Sequence, residues 1–285
     1  MSQSQEQAFS LVSGLASELS AGNLELPSLP EAVVRIRNAL SKPDFTVEEL
    51  ARIIQTEPTL IGSILTMANS VTFRRAGNET SDLKVAISRI GVGMVQTAAT
   101  TFALRKLRES DDFKEVEHLL APEWKRTAKT AATTYLVAQK TRALRPDEGL
   151  VVGLLHNIGR IYLFSRAPDY PELFETPEDR DEILSSWHAN VAKAIVESWA
   201  IPSETIEAIA RQDAIDDDEE APKVYSVLTV GIALAAIGND PAPEETAALL
   251  ERWDFRRLGI IEETIAEILA ERDACAAELG LGMSA

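Results

Sequence analysis

An all-α fold arranged as two helical lobes is what this sequence predicts, and three observations carry that reading. Apolar residues recur at spacings of three and four along nearly the whole chain, the period that gathers them on one face of a helix. No two-residue hairpin turn separates alternating segments, and no glycine-rich phosphate loop is present. The breaks between periodic segments are short, as in packed helices.

Taken in order, Leu29, Val33, Ile36 and Leu40 form the first stripe, and Val47, Leu50, Ile53 and Ile54 the second. Thr46-Val-Glu-Glu49 has capping-box spacing, so a helix starts there. Glu57-Pro58 ends it and opens the next, because proline is tolerated in a first turn. That helix runs through Leu60, Ile64 and Ala68 and stops near Asn69-Ser70. Further segments are expected at 83–90, 92–108, 122–142, 147–166, 180–199, 203–212, 222–238, 243–252 and 261–278. No period of 20 to 50 residues repeats, which excludes a solenoid. The uncharged run Val224–Asn239 is sixteen residues, shorter than the roughly 20 a membrane span needs, and reads as a buried helix. The four Trp all lie beyond residue 120 and read as core or helix-junction anchors.

The 285 residues carry 28 Lys+Arg against 45 Asp+Glu, a formal charge of −17. That balance argues against nucleic acid or an anionic membrane as partner. Residues 1–120 hold 12 basic and 15 acidic side chains, residues 121–285 hold 16 and 30. With the polar stretch before Ala121-Pro122, this shift suggests three units: lobes over 1–120 and 121–240 and a C-terminal helical extension over 241–285. Asp213–Glu220 packs six acids into eight residues and reads as a solvated loop. One Cys, Cys275, leaves no disulfide framework and no Cys-based zinc site. No signal peptide is evident at the N-terminus, so a reducing cytoplasm is expected. Three His are too few for a multi-histidine metal centre.

The segment with a chemical look is Val151–Ile161, where His156 stands in an apolar helix. Such a ring must be paired or functional. Gly153-Leu-Leu-His-Asn-Ile-Gly-Arg160 resembles the His-Asp motif of the HD phosphohydrolase superfamily. Other stretches resemble its HDOD branch, the HD-related output domain. They are Leu26-Pro-Ser-Leu-Pro30, Ile53-Ile-Gln-Thr-Glu-Pro-Thr-Leu60, Leu65-Thr-Met-Ala-Asn-Ser70, Ala86-Ile-Ser-Arg-Ile-Gly91, Trp124-Lys-Arg-Thr127, and Trp187-His188 to Trp199-Ala-Ile-Pro202. The likeness covers roughly residues 24 to 240.

Active HD enzymes are similar to one another in holding one or two divalent ions with a His, a His-Asp pair and a distal Asp, and those ions activate water and clamp a phosphate. Carried onto this chain, the resemblance implies a degenerate second lobe. Arg126 stands where the first His belongs, and guanidinium has no lone pair to offer. Asn157 replaces the Asp of the pair, and the helix within 224–239 has no acid. Gln212-Asp213 falls where relatives show two His, leaving His156 and His188. The resemblance therefore implies a non-enzymatic, cofactor-free signalling output module that contacts other proteins, among them receiver or cyclic-dinucleotide-pathway proteins. Any receiver domain would be on another polypeptide or removed from this one. Two alternatives are a nucleotide sensor binding in the inter-lobe cleft without hydrolysis, and a residual phosphohydrolase using His156, His188 and Asp213. Outside the motif, Arg74, Arg75, Arg105 and Lys106 are basic concentrations that could meet an anion or an acidic partner.

Overall fold

Helices pack on helices throughout the computed structural model, which describes residues 29–74, 78–214 and 217–281 together with 13, 14 and 17. No strand occurs among the described residues, and no helix among them is long and apolar enough to cross a membrane. The first lobe comprises α1 (Glu31–Leu40), α2 (Val47–Ile54), α3 (Pro58–Asn69), the short α4 (Val71–Arg74) and α5 (Leu83–Arg108). Thr46 caps α2 by accepting from Glu49 N at 3.1 Å, and Pro58 opens α3, both as the sequence predicts. Asp82 caps α5 through the N–H groups of Lys84 and Val85. Gly91, at φ +80°, puts a kink in α5 between the two predicted segments, a conformation glycine adopts without Cβ strain.

After α6 (Asp111–Lys114), the second lobe is built around α7 (Glu117–Thr141). Packed on it are α8 (Pro146–Leu155), α13 (Lys223–Ala236) and α16 (Glu262–Glu278). Two predicted boundaries change here. Helix α7 starts at Glu117, with Pro122 inside it, so the division at 120/121 falls within a helix. Val116 and Leu120 are buried in the core and fix the turn ahead of the proline, so tertiary packing offsets the hydrogen bond that Pro122 cannot make. The single helix expected over 147–166 is two, α8 and α9 (Ile158–Ser165), broken at His156-Asn157.

The remaining described helices are α10 (Pro171–Glu175), α11 (Pro177–Ser198), α12 (Ser203–Ala210), α14 (Pro243–Leu250) and α15 (Trp253–Arg257). Thr176 caps α11 by accepting from Asp179 N at 3.2 Å, which moves its start ahead of the predicted 180. The run from Val224 forms α13, nearly all of it buried. One apolar core extends from Val33 to Leu281, and α5 packs on α8 to join the two lobes. Trp124 is fully buried and Trp199 closes the C-terminal end of α11. Burial pushes the Cys275 thiol up to about 12, with Glu278 and Glu271 adding to it, so it is not a reactive thiolate.

Candidate functional site

One face of α7 reads Pro122, Lys125, Arg126, Lys129, Thr130, a helical stripe at steps of three and four. That stripe forms a wall of a cavity of about 470 Å³. The α8–α9 junction contributes His156, Asn157 and Arg160, and α11 contributes His188. Gln212 and Asp213 arrive from the turn after α12, while Ile232, Ala235 and Ala236 of α13 supply an apolar side. All six positions singled out by the resemblance, Arg126, His156, Asn157, His188, Gln212 and Asp213, thus line a single cavity.

Beneath the cavity lies a buried carboxylate that sequence reasoning missed. Glu123 is 5% exposed, and a carboxylate so placed needs hydrogen bonds and a counter-charge. Asn157 Nδ2 donates to Glu123 Oε2 at 3.0 Å, to the Glu123 backbone carbonyl at 3.2 Å and to Thr127 Oγ1 at 3.2 Å. Arg160 Nε donates to the same Oε2 at 3.2 Å, and Arg126 Nε stands 3.6 Å from it. Asn157 therefore spends its amide tying the α8–α9 break to α7 and makes no cap for α9. Gln212 Nε2 donates to the His156 carbonyl and to that of Ile209, both at 3.0 Å, so the orphaned carbonyl at the break is satisfied.

The two histidines are in different states of engagement. His156 Nδ1 lies 2.7 Å from the Gly153 carbonyl; a carbonyl can only accept, so Nδ1 carries the proton. Burial pushes the His156 pKa down to about 4, against the opposing Gly153 bond, and the ring is neutral. His188 Nε2 pairs with Asp213 Oδ2 at 2.7 Å, while its buried Nδ1 has no partner among the described residues. The hydrogen bond from His188 holds the Asp213 carboxyl below the ordinary carboxylate range, against its own burial. Asp213 is consequently not a bare acid of a solvated loop. Within the same acidic segment Asp218 pairs with Arg211 at 2.8 Å, and residues 215 and 216 lie outside the described residues.

A divalent metal, which the HD resemblance brings to mind, does not fit these residues. Among the described residues no three His, Cys, Asp or Glu side chains converge to hold an ion. Asp213, the carboxylate on the cavity wall, is bonded to His188, Glu123 beneath already faces two guanidinium groups, and Lys125 and Lys129 add further positive charge to the wall. Cations on this scale repel a divalent ion.

The other basic residues flagged by sequence are not gathered into this site. Arg74 pairs with Glu79 at 3.1 Å, and Lys106 with Glu109 at 3.3 Å while lying over the Phe102 ring. Arg105 donates toward the Gly280 carbonyl at 3.5 Å. Arg75 lies outside the described residues. The cations that line the cavity are Lys125, Lys129 and Arg160 beside Arg126. The signal that could have found them is the polar stripe on α7, whose period matches an apolar one.

The HDOD domain model matches residues 26–215. Among solved structures, a Shewanella amazonensis protein described as a candidate metal-dependent phosphohydrolase is 23% identical, with a TM-score of 0.80 over 96% of this chain and 99% of that one. A Marinobacter aquaeolei protein described as a candidate signal transduction protein is 21% identical, with a TM-score of 0.63 over 98% of this chain and 65% of its own. An uncharacterized protein of Treponema pallidum is 26% identical over 243 residues, 81% of this chain. The chain spans 44% of the length of that curated relative. Identities this low in the solved structures speak for the fold, and the family match covers two thirds of the chain, including Arg126, His156, Asn157, His188, Gln212 and Asp213. The chain belongs to the HDOD domain family.

Proposed function

We propose that this protein is a non-catalytic module of cytoplasmic signal transduction that works through contact with other signalling proteins. The observation that carries the reading is the Glu123 network. Where a hydrolase of this fold would gather ligands around an ion, this chain places Arg126 and Asn157 on a carboxylate that Arg160 already neutralises. Water activation needs a Lewis acid or a base positioned on substrate; His156, its pKa pushed down to about 4 by burial, is a weak base, and the His188 nitrogen not bonded to Asp213, Nδ1, is buried. Family membership and the described role of the Marinobacter relative support signalling as the setting. Receiver or cyclic-dinucleotide-pathway proteins are the partners this reading favours.

The test has two arms. Protein loaded with manganese, iron, cobalt or zinc and then desalted is expected to retain less than stoichiometric metal, and to hydrolyse phosphodiesters no faster than His156→Ala. Stoichiometric metal with turnover lost in His156→Ala would establish the residual phosphohydrolase instead. Affinity capture from the native cell, with intact protein and a surface-charge variant, is expected to return a partner that depends on the surface; no specific partner from either would remove the contact mechanism.

A further inference from the structure

The cavity has reversed the charge of the molecule around it. The chain carries −17 overall, yet Lys125, Arg126, Lys129 and Arg160 line one pocket, against Asp213 on its wall and Glu123 beneath. Asp213 is bonded to His188, and Glu123 is shared by Arg126 and Arg160. Two carboxylates do not balance four cations. Among the described residues Lys125 has no carboxylate partner, and Lys129 finds only the Ile237 carbonyl, at 3.2 Å. Burial, and then Arg272, hold the Lys129 ammonium below its ordinary pKa, with Asp273 opposing and Lys125 adding. Crowded cations with surplus charge in a partly dry pocket are stabilised by an anion.

We infer that this cavity binds a small phosphorylated ligand of at least two negative charges directly through Lys125, Arg126, Lys129 and Arg160, with no metal between. This rests on the non-catalytic reading above and supplies its input: ligand occupancy would be the signal. A forked guanidinium and ammonium groups are the donors that phosphate oxygens take. The volume, about 470 Å³, lies in the ordinary range of small-molecule sites, and Ile232 and Ala235 offer an apolar surface for the remainder of the ligand. The cleft between the lobes is larger, about 590 Å³, but its cations, Arg37 and Arg145, are matched by Asp147 and Glu148 and leave no surplus. There Arg145 is held by Asp147 and Glu148, and Arg37 donates to the Trp199 carbonyl. The nucleotide reading therefore moves from the cleft to the former metal pocket.

The test is isothermal calorimetry of the full chain at low ionic strength against inorganic phosphate, pyrophosphate, nucleoside diphosphates and cyclic dinucleotides, with released phosphate monitored alongside. Binding is expected for at least one phosphorylated ligand, weakened by added salt. The double variant Lys125→Ala/Arg126→Ala removes two exposed cations and should weaken it about tenfold with an unchanged melting temperature. Lys106→Ala, outside the cavity, should not. Heats absent across the panel, or equal in the double variant, would overturn the inference. So would binding of a poly-aspartate peptide with none of the small anions, which would assign the surface to an acidic protein. Binding accompanied by turnover that His156→Ala abolishes would sink the non-catalytic reading and leave the anion site standing. No binding and no turnover would do the reverse.

Discussion

Deleting the Glu123 carboxylate is the sharpest probe of the polar cluster beneath the cavity. In Glu123→Ala, the Arg160 guanidinium loses its counter-charge while its side chain is only 16% exposed. Breaking a buried pair from one side costs about 3–5 kcal/mol, and the access Arg160 has to the cavity puts the expectation at the lower end, about 3 kcal/mol. Arg126 adds almost nothing, since it is 56% exposed and 3.6 Å away. Asn157 loses one acceptor of three and keeps the Glu123 carbonyl and Thr127 Oγ1. Glu123→Gln preserves shape and one acceptor oxygen but not charge, and should cost about 1.5 kcal/mol. The measurement is urea unfolding followed by circular dichroism, completed as a cycle with Arg160→Met and the double variant. The double variant should be more stable than the sum of the singles predicts, by about 1–2 kcal/mol. A loss below about 1 kcal/mol in Glu123→Ala, or a cycle additive within about 0.5 kcal/mol, would show that the pair does not hold α7 to the α8–α9 junction.

Four other outcomes follow from the structure. Asn157→Asp would set a carboxylate oxygen against Glu123 Oε2, where an amide now donates at 3.0 Å; unfolding should show a loss of about 3 kcal/mol, and elemental analysis no gain of metal. Gly159→Ala would place a Cβ 1.9 Å from the His188 carbonyl and 2.8 Å from Ala192 N, so α9 and α11 must separate at about 3 kcal/mol or more. Gly62→Ala, with open space at that position in α3, should stabilise by about 0.5–1 kcal/mol; the two thermal melts shifting in the same direction would contradict the packing. The His156 pKa is lowered on folding from 6.5 to about 4, so its contribution is present above pH 6.5 and is lost as pH falls toward 4. Urea midpoints should register a loss of about 2 kcal/mol between pH 7 and pH 5, flattened in His156→Gln; an equal slope in that variant would rule His156 out as its source.

The helices were legible because α1, α2, α3 and α13 carry apolar stripes or apolar runs of the right length. The break at His156-Asn157 was not, since α8 and α9 are buried on nearly every face and a run that is apolar all round has no phase from which a boundary can be read. Pro122 misled for a related reason: local chemistry marked a boundary, and the burial of Val116 and Leu120 kept the helix going. The degenerate positions were legible through resemblance, which names residues by what they replace. It could not reveal Glu123, whose importance lies in what faces it. Nor could it reveal that Lys125, Arg126 and Lys129 share their wall with Arg160, because that cation arrives from another helix.

Those cations set the electrostatics that any metal would meet in this cavity. A buried carboxylate demands positive charge, and in a metal enzyme an exchangeable ion can supply it. Here Arg160 supplies it from the chain itself, at 3.2 Å, with Arg126 behind it at 3.6 Å. An incoming divalent ion would have to displace both guanidinium groups and leave them facing Lys125 and Lys129. Restoring one acid, as Asn157→Asp does, adds negative charge without removing that repulsion. The cation requirement of Glu123 is met internally and the remaining surplus is positive, and on that balance the proposed anion site rests.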